Sequence, residues 1–118
     1  MILFENESDM DIEITLLEKI AKKQSSKDIE LIIVDSESMR VINLEQRGID
    51  KSTDVLSFPL ESFVNAPLGS IVINVDLAKS VADELGHTLD DEIALLFTHG
   101  MLHLLGHDHE VDDGQMRE

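Results

Sequence analysis

The chain has 118 residues, enough for one domain with a modest core. It carries 25 acidic against 9 basic residues, a formal net charge of −16, and no cysteine. That balance argues against bulk electrostatic attraction to nucleic acid, and the missing cysteines exclude a disulfide framework and a thiolate metal site.

In chain order, residues 2–6 predict a short strand. From Met10 to about Gln24, Ile12, Leu16, Leu17 and Ile20 recur at helical spacing, with Asp9 or Asp11 as the cap. Glu30 to Asp35 is an apolar run ending in an acid, which suits a buried strand. Ser36 is placed to cap a helix over roughly 37–46, closed by Gly48. Val55 to Leu60 alternates and is stopped by Pro59, so it reads as an edge strand. The stretch 61–69 is the longest irregular one, and 70–75 is another strand rich in β-branched residues. Asp76 is expected to cap a helix over roughly 77–85, ended by Gly86. Thr88 then opens the last helix, whose positions Ile93, Leu96, Phe97, Leu104 and Leu105 form its core face. The pattern predicts a single α+β domain over 1–118: a small mixed sheet of about four strands with helices packed against it.

The chemistry concentrates at the end of that helix. Four of the five histidines lie within Phe97-Thr98-His99-Gly100-Met101-Leu102-His103-Leu104-Leu105-Gly106-His107-Asp108-His109. His99 and His103, four apart, share one helix face one turn apart. Gly106 is expected to end the helix, so that His109 turns back from the following loop and completes a three-nitrogen cup. Such a cup suits one zinc ion with an open fourth position, the catalytic arrangement. An unbroken helix would instead stack His107 above His103, which leaves His107 as the alternative third ligand. Asp108 is placed either to orient an imidazole or to finish the helix. The metalloprotease pattern puts a glutamate after its first histidine. Here that position is Gly100, so the base must be metal-generated hydroxide or come from elsewhere.

His99-Gly100-Met101-Leu102-His103-Leu104-Leu105-Gly106-His107-Asp108-His109 resembles the signature of the YbeY family, bacterial metal-dependent endoribonucleases of ribosomal RNA maturation. Leu44 to Pro59 and Leu68 to Ile73 resemble the family as well, and the likeness covers nearly the whole chain. It departs at His107, where the family usually has an aromatic, and at Ser70, where it usually has an acid. The resemblance implies zinc on His99, His103 and His109, and maps the family's arginine to Arg47. It further implies single-stranded and ribosomal RNA as substrate, small-subunit proteins as partners, and a role in quality control of that subunit.

With that likeness, Arg47 is expected to grip a substrate phosphate with its planar fork. Ser52, Thr53 and Asp54 either line the cleft or make the turn before the strand, and Lys51 is the weakest candidate there. His107 is a possible general acid for the leaving oxygen. Lys19, Lys22, Lys23 and Lys27, and Arg40, Arg47 and Lys51, are the basic clusters available to RNA; the lysine group reads first as a solvated helix face. A bound cation would also reverse the local field. Weak non-specific affinity and dependence on a docking partner are expected. The N-terminus lacks a signal-peptide pattern and no apolar run spans a bilayer, so a soluble cytoplasmic protein is expected, without membrane partners. Two rival functions are a non-catalytic zinc-binding ribosome assembly factor and a metallohydrolase of another substrate class.

Overall fold

The computed structural model describes residues 1–59 and 67–112, with 107–112 described as backbone only. Four strands, β1 (Ile2–Asn6), β2 (Ile29–Val34), β3 (Val55–Pro59) and β4 (Gly69–Asn74), form one sheet in the order β1-β2-β4-β3. The first two pairings are parallel, and β3 runs antiparallel to β4 at the edge. The helices are α1 (Thr15–Gln24), α2 (Ser36–Arg47), α3 (Val75–Leu85) and α4 (Leu89–Asp112). The architecture is therefore the expected α+β domain with a mixed four-stranded sheet. No helix among the described residues is long and apolar enough to cross a membrane.

Strand alternation splits the core in two. Ile29, Leu31 and Ile33 of β2 and Ile71 and Ile73 of β4 are fully buried beneath Leu17 of α1 and Ile93, Phe97, Met101 and Leu104 of α4. On the other face Val34, Leu56 and Val72 bury Met39 of α2, with Ile42 and Phe58 packed around them. The apolar stripe of α4 thus fixes that helix across the sheet, next to edge strand β3.

Several element starts differ from the sequence expectation, each for a local reason. Helix α1 begins at Thr15 rather than Met10, without a side-chain cap. Asn6 and Ser8 make a turn over Met10, and Met10, Ile12 and Ile14 then reach the core at alternate positions. That period of two is extended chain, not helix. Asp35, not Ser36, caps α2 by accepting from Ser38 N–H (2.8 Å), which holds its carboxyl below the usual range. Asn74, not Asp76, caps α3 by accepting from Asp76 N–H and Leu77 N–H. The ends at Gly48 and Gly86 and the Thr88 cap (Asp91 N–H to its hydroxyl, 3.1 Å) are as expected. The largest difference is at Gly106, where α4 continues to Asp112 instead of stopping. A helical glycine costs only about 1 kcal/mol relative to alanine, too little by itself to end a long packed helix.

Candidate metal centre and active-site cleft

His99 and His103 project from the flank of α4. Their neighbours Gly100, Met101 and Leu104 are buried, while both imidazoles are exposed. The rings stack with centroids 5.0 Å apart and planes 27° from parallel. They open into a cavity of about 580 Å³ lined also by Gln46, Arg47, Asp54, Val55, Leu56, Ser57, Phe58 and Gly100. The cavity lies between the C-terminal end of α2, strand β3 and the middle of α4. Arg47 and the histidine pair, some fifty residues apart in sequence, therefore face one space.

Two adjacent imidazoles beside an open cavity fit a zinc ion by donor chemistry and spacing. Among the described residues no third histidine or carboxylate joins them to complete a metal cluster. His109, the expected third ligand, stands on the helical backbone, as does His107; the side chains of both, and of Asp108, lie outside the described residues. On an unbroken helix, the rise of about 1.5 Å per residue puts residue 109 about 9 Å beyond residue 103 and about 15 Å beyond residue 99. One ion cannot be shared over that span, so His109 joins the pair only if the chain leaves the helix between 103 and 109.

Gly100 shows why this helix has no protease glutamate. A Cβ there would stand 3.0–3.2 Å from three carbons of Ile71, so α4 crosses β4 in near contact at this point. A larger side chain would wedge helix and sheet apart. An overpacking cost of about 1–3 kcal/mol, set against the roughly 1 kcal/mol that alanine gains over glycine in a helix, leaves Gly100→Ala with an expected net loss of about 1 kcal/mol. Trimming its neighbour in Gly100→Ala/Ile71→Val should recover part of the loss. Thermal melts of both variants check this, and an unchanged midpoint for Gly100→Ala would contradict it.

The wall opposite α4 is pinned from behind. Arg47 is the last residue of α2, and Gly48 turns the chain away in a left-handed conformation (φ 71°) that a Cβ would disfavour. Asn43 donates through Nδ2 to Lys51 C=O (2.8 Å). Fully buried Asn74 donates through Nδ2 to Thr53 C=O, Ser52 Oγ and Ser36 Oγ, at 2.9–3.1 Å. Its backbone N–H donates to Asp54 C=O (2.9 Å). Ser52 and Thr53 thus make the turn and hold it, whereas Asp54 reaches the cavity. Lys51 does not line it. Arg40 is committed to Glu37 (2.7 Å) and Asp50, which raises its pKa further and removes it from the basic cluster. Arg47 has no carboxylate partner among the described residues. Ser70 lies outside the cavity lining and donates to Glu30 (2.5 Å) on the neighbouring strand. An acid is therefore present there, one strand over.

Sequence reasoning brought Arg47, His99 and His103 to the site but missed Gln46, Ser57 and Phe58 in the lining and the two asparagines behind it. Asn74 was legible in principle, as an asparagine between a β-branched run and a helix. The lining role of Ser57 required knowing which side of β3 meets α4.

Paired imidazoles, a guanidinium without a carboxylate partner among the described residues and Asp54 line one open cavity on an α+β scaffold, a set of groups suited to hydrolytic chemistry. The model of the family Endoribonuclease YbeY matches residues 4–118. Relatives named Endoribonuclease YbeY include one from Wolinella succinogenes, 56% identical over 99% of this chain and 84% of its own length. One from Campylobacter jejuni is 65% identical over 86% of this chain and 76% of its own length. A solution structure of a Thermotoga maritima protein superposes with a TM-score of 0.64 at 29% identity, covering 88% of this chain and 71% of that one. The chain belongs to the YbeY endoribonuclease family.

Proposed function

We propose that this protein is a zinc-dependent endoribonuclease that cuts single-stranded RNA, acting in the cytoplasm in ribosomal RNA maturation and quality control of the small subunit. The observation that carries the proposal is the convergence of Arg47 with His99 and His103 on one cavity. Family membership supports RNA as the substrate.

His99 and His103 would hold the ion, with His109 as third ligand on the condition that the chain leaves the helix after His103 when the ion binds. Zinc bound there would supply Lewis-acid polarisation and a nucleophile active at neutral pH. Arg47, without a carboxylate partner among the described residues, grips the phosphate bidentately and stabilises charge that grows on it. Gly100 offers no base, so the carboxylate of Asp54 is the protein group in the lining able to accept a proton from the attacking hydroxyl. The net charge of −16 limits non-specific hold on RNA. Affinity then depends on these local groups and on proteins of the small subunit as docking partners.

The ligand set has its own test. His109→Ala is expected to weaken zinc binding by more than about 100-fold, beyond the loss typical of a group that only supports a ligand, while His107→Ala changes it little. Competition titration against a zinc-chelating dye measures both. The reverse order would move the third ligand to His107. For function, zinc-loaded protein should cut a labelled single-stranded RNA, and chelated protein should not. Zinc uptake without cleavage in the presence or absence of small-subunit proteins would favour a non-catalytic assembly factor.

A further inference from the structure

The cleft contains a sheet edge that is unpaired among the described residues. Strand β3 ends the sheet, so only one of its edges is bonded to β4. Asn74 N–H bonds Asp54 C=O, and the register pairs Val55 with Ile73 and Leu56 with Val72. In an antiparallel ladder, hydrogen-bonded and non-bonded pairs alternate. Asp54, Leu56 and Phe58 therefore direct their backbone groups to β4, and Val55, Ser57 and Pro59 direct theirs outward. Pro59 agrees with this phase, since proline is tolerated on an edge strand where its missing N–H would point away from the sheet. No backbone group among the described residues bonds to the outward N–H and C=O groups of Val55 and Ser57. Both residues line the cavity that holds Arg47 and the histidine pair.

We propose that the outer edge of β3 is a substrate rail for the sugar–phosphate backbone of single-stranded RNA, with Val55 and Ser57 N–H donating to phosphate oxygens and their C=O groups accepting from 2′-hydroxyls. The proposal deepens the nuclease assignment and rests on it. The two outward N–H groups lie about 7 Å apart, two residues along a strand. That spacing suits successive phosphates of an extended chain. The edge presents donors and acceptors in turn. RNA offers the matching set, an anionic acceptor and a 2′-hydroxyl donor in every nucleotide. A DNA backbone offers acceptors alone and leaves the outward carbonyls unmatched. The rail therefore both positions the chain beneath Arg47 and selects RNA over DNA. It also adds hold on an anion to that of Arg47 without a further basic side chain, in a chain with only 9 basic residues.

Edge position 57 allows a clean test. Ser57→Pro removes one outward N–H at a place equivalent to native Pro59, and Ser57→Ala removes only the hydroxyl. With zinc-loaded protein and a labelled single-stranded RNA, Ser57→Pro is expected to lower kcat/KM about ten- to hundredfold, the worth of a hydrogen bond to a charged group, chiefly through KM. Ser57→Ala, which keeps the outward N–H, should lose clearly less than Ser57→Pro, and both should take up zinc like wild type. In chelated wild-type protein, amide NMR during titration with a short single-stranded RNA should shift Val55 and Ser57 N–H more than Leu56 N–H, and less with DNA of the same sequence. This second readout decides the matter if Ser57→Pro does not fold. Wild-type cleavage by folded Ser57→Pro, or unmoved Val55 and Ser57 amides, overturns the rail. Failure of wild type itself to cleave would instead overturn the nuclease assignment.

Discussion

His103→Ala is expected to lower zinc affinity by more than about 100-fold and to take RNA cleavage below detection, without lowering the stability of the unloaded chain. The two halves of this expectation have separate physical grounds. His103 supplies one of the nitrogens beside the cavity, and its ring stacks on that of His99. Removing it leaves too few donors to hold an ion at ordinary zinc concentrations. The side chain is also exposed, so truncation opens no cavity in the core, and alanine is the better helix former. A zinc competition titration, a cleavage assay and a thermal melt of chelated protein together check it. Full zinc affinity in the variant would show that the metal, if bound, sits elsewhere.

Arg47→Ala is expected to give a different profile. Zinc binding and folding should match wild type, while kcat falls about 10²–10³-fold, the typical loss when a group stabilising developing charge is removed. Arg47 ends α2 with no carboxylate partner among the described residues, so its removal breaks no ion pair there. The lost helix-dipole contribution is at most about 1 kcal/mol. Arg47→Lys should recover only part of the rate, because a point charge cannot reproduce a planar two-pronged contact. Arg40→Ala, which releases an arginine tied to Glu37 and Asp50, is the matched control and should cleave normally. Equal rates for Arg47→Ala and Arg40→Ala would remove Arg47 from the mechanism.

The elements legible in the sequence were those whose signal is local. Periodicity on α4, the left-handed glycines at 48 and 86, and proline in β3 gave their elements nearly in place. Met10 to Ile14 misled because helical spacing can be counted through a run that in fact meets the core at alternate residues. Gly106 misled in the opposite way, since a stop signal worth about 1 kcal/mol yields to a helix anchored by Phe97, Met101 and Leu104. The histidine pair was legible because i, i+4 spacing is a property of the helix alone. The opposite wall was not, because it depends on tertiary bonds. Asn43 and Asn74 fix where the turn of residues 49–54 lies, and neither bond leaves a spacing pattern in the chain. Gly100, read first as a missing base, proved to be the contact point between α4 and Ile71.

The measurement that bears most directly on the central claim is a zinc titration of chelated wild-type protein against a labelled single-stranded RNA. Cleavage should rise linearly with added zinc and level off at one ion per chain, with His103→Ala silent throughout. Cleavage that ignores chelation, or none at one zinc per chain with small-subunit proteins present, would contradict a metal-dependent ribonuclease.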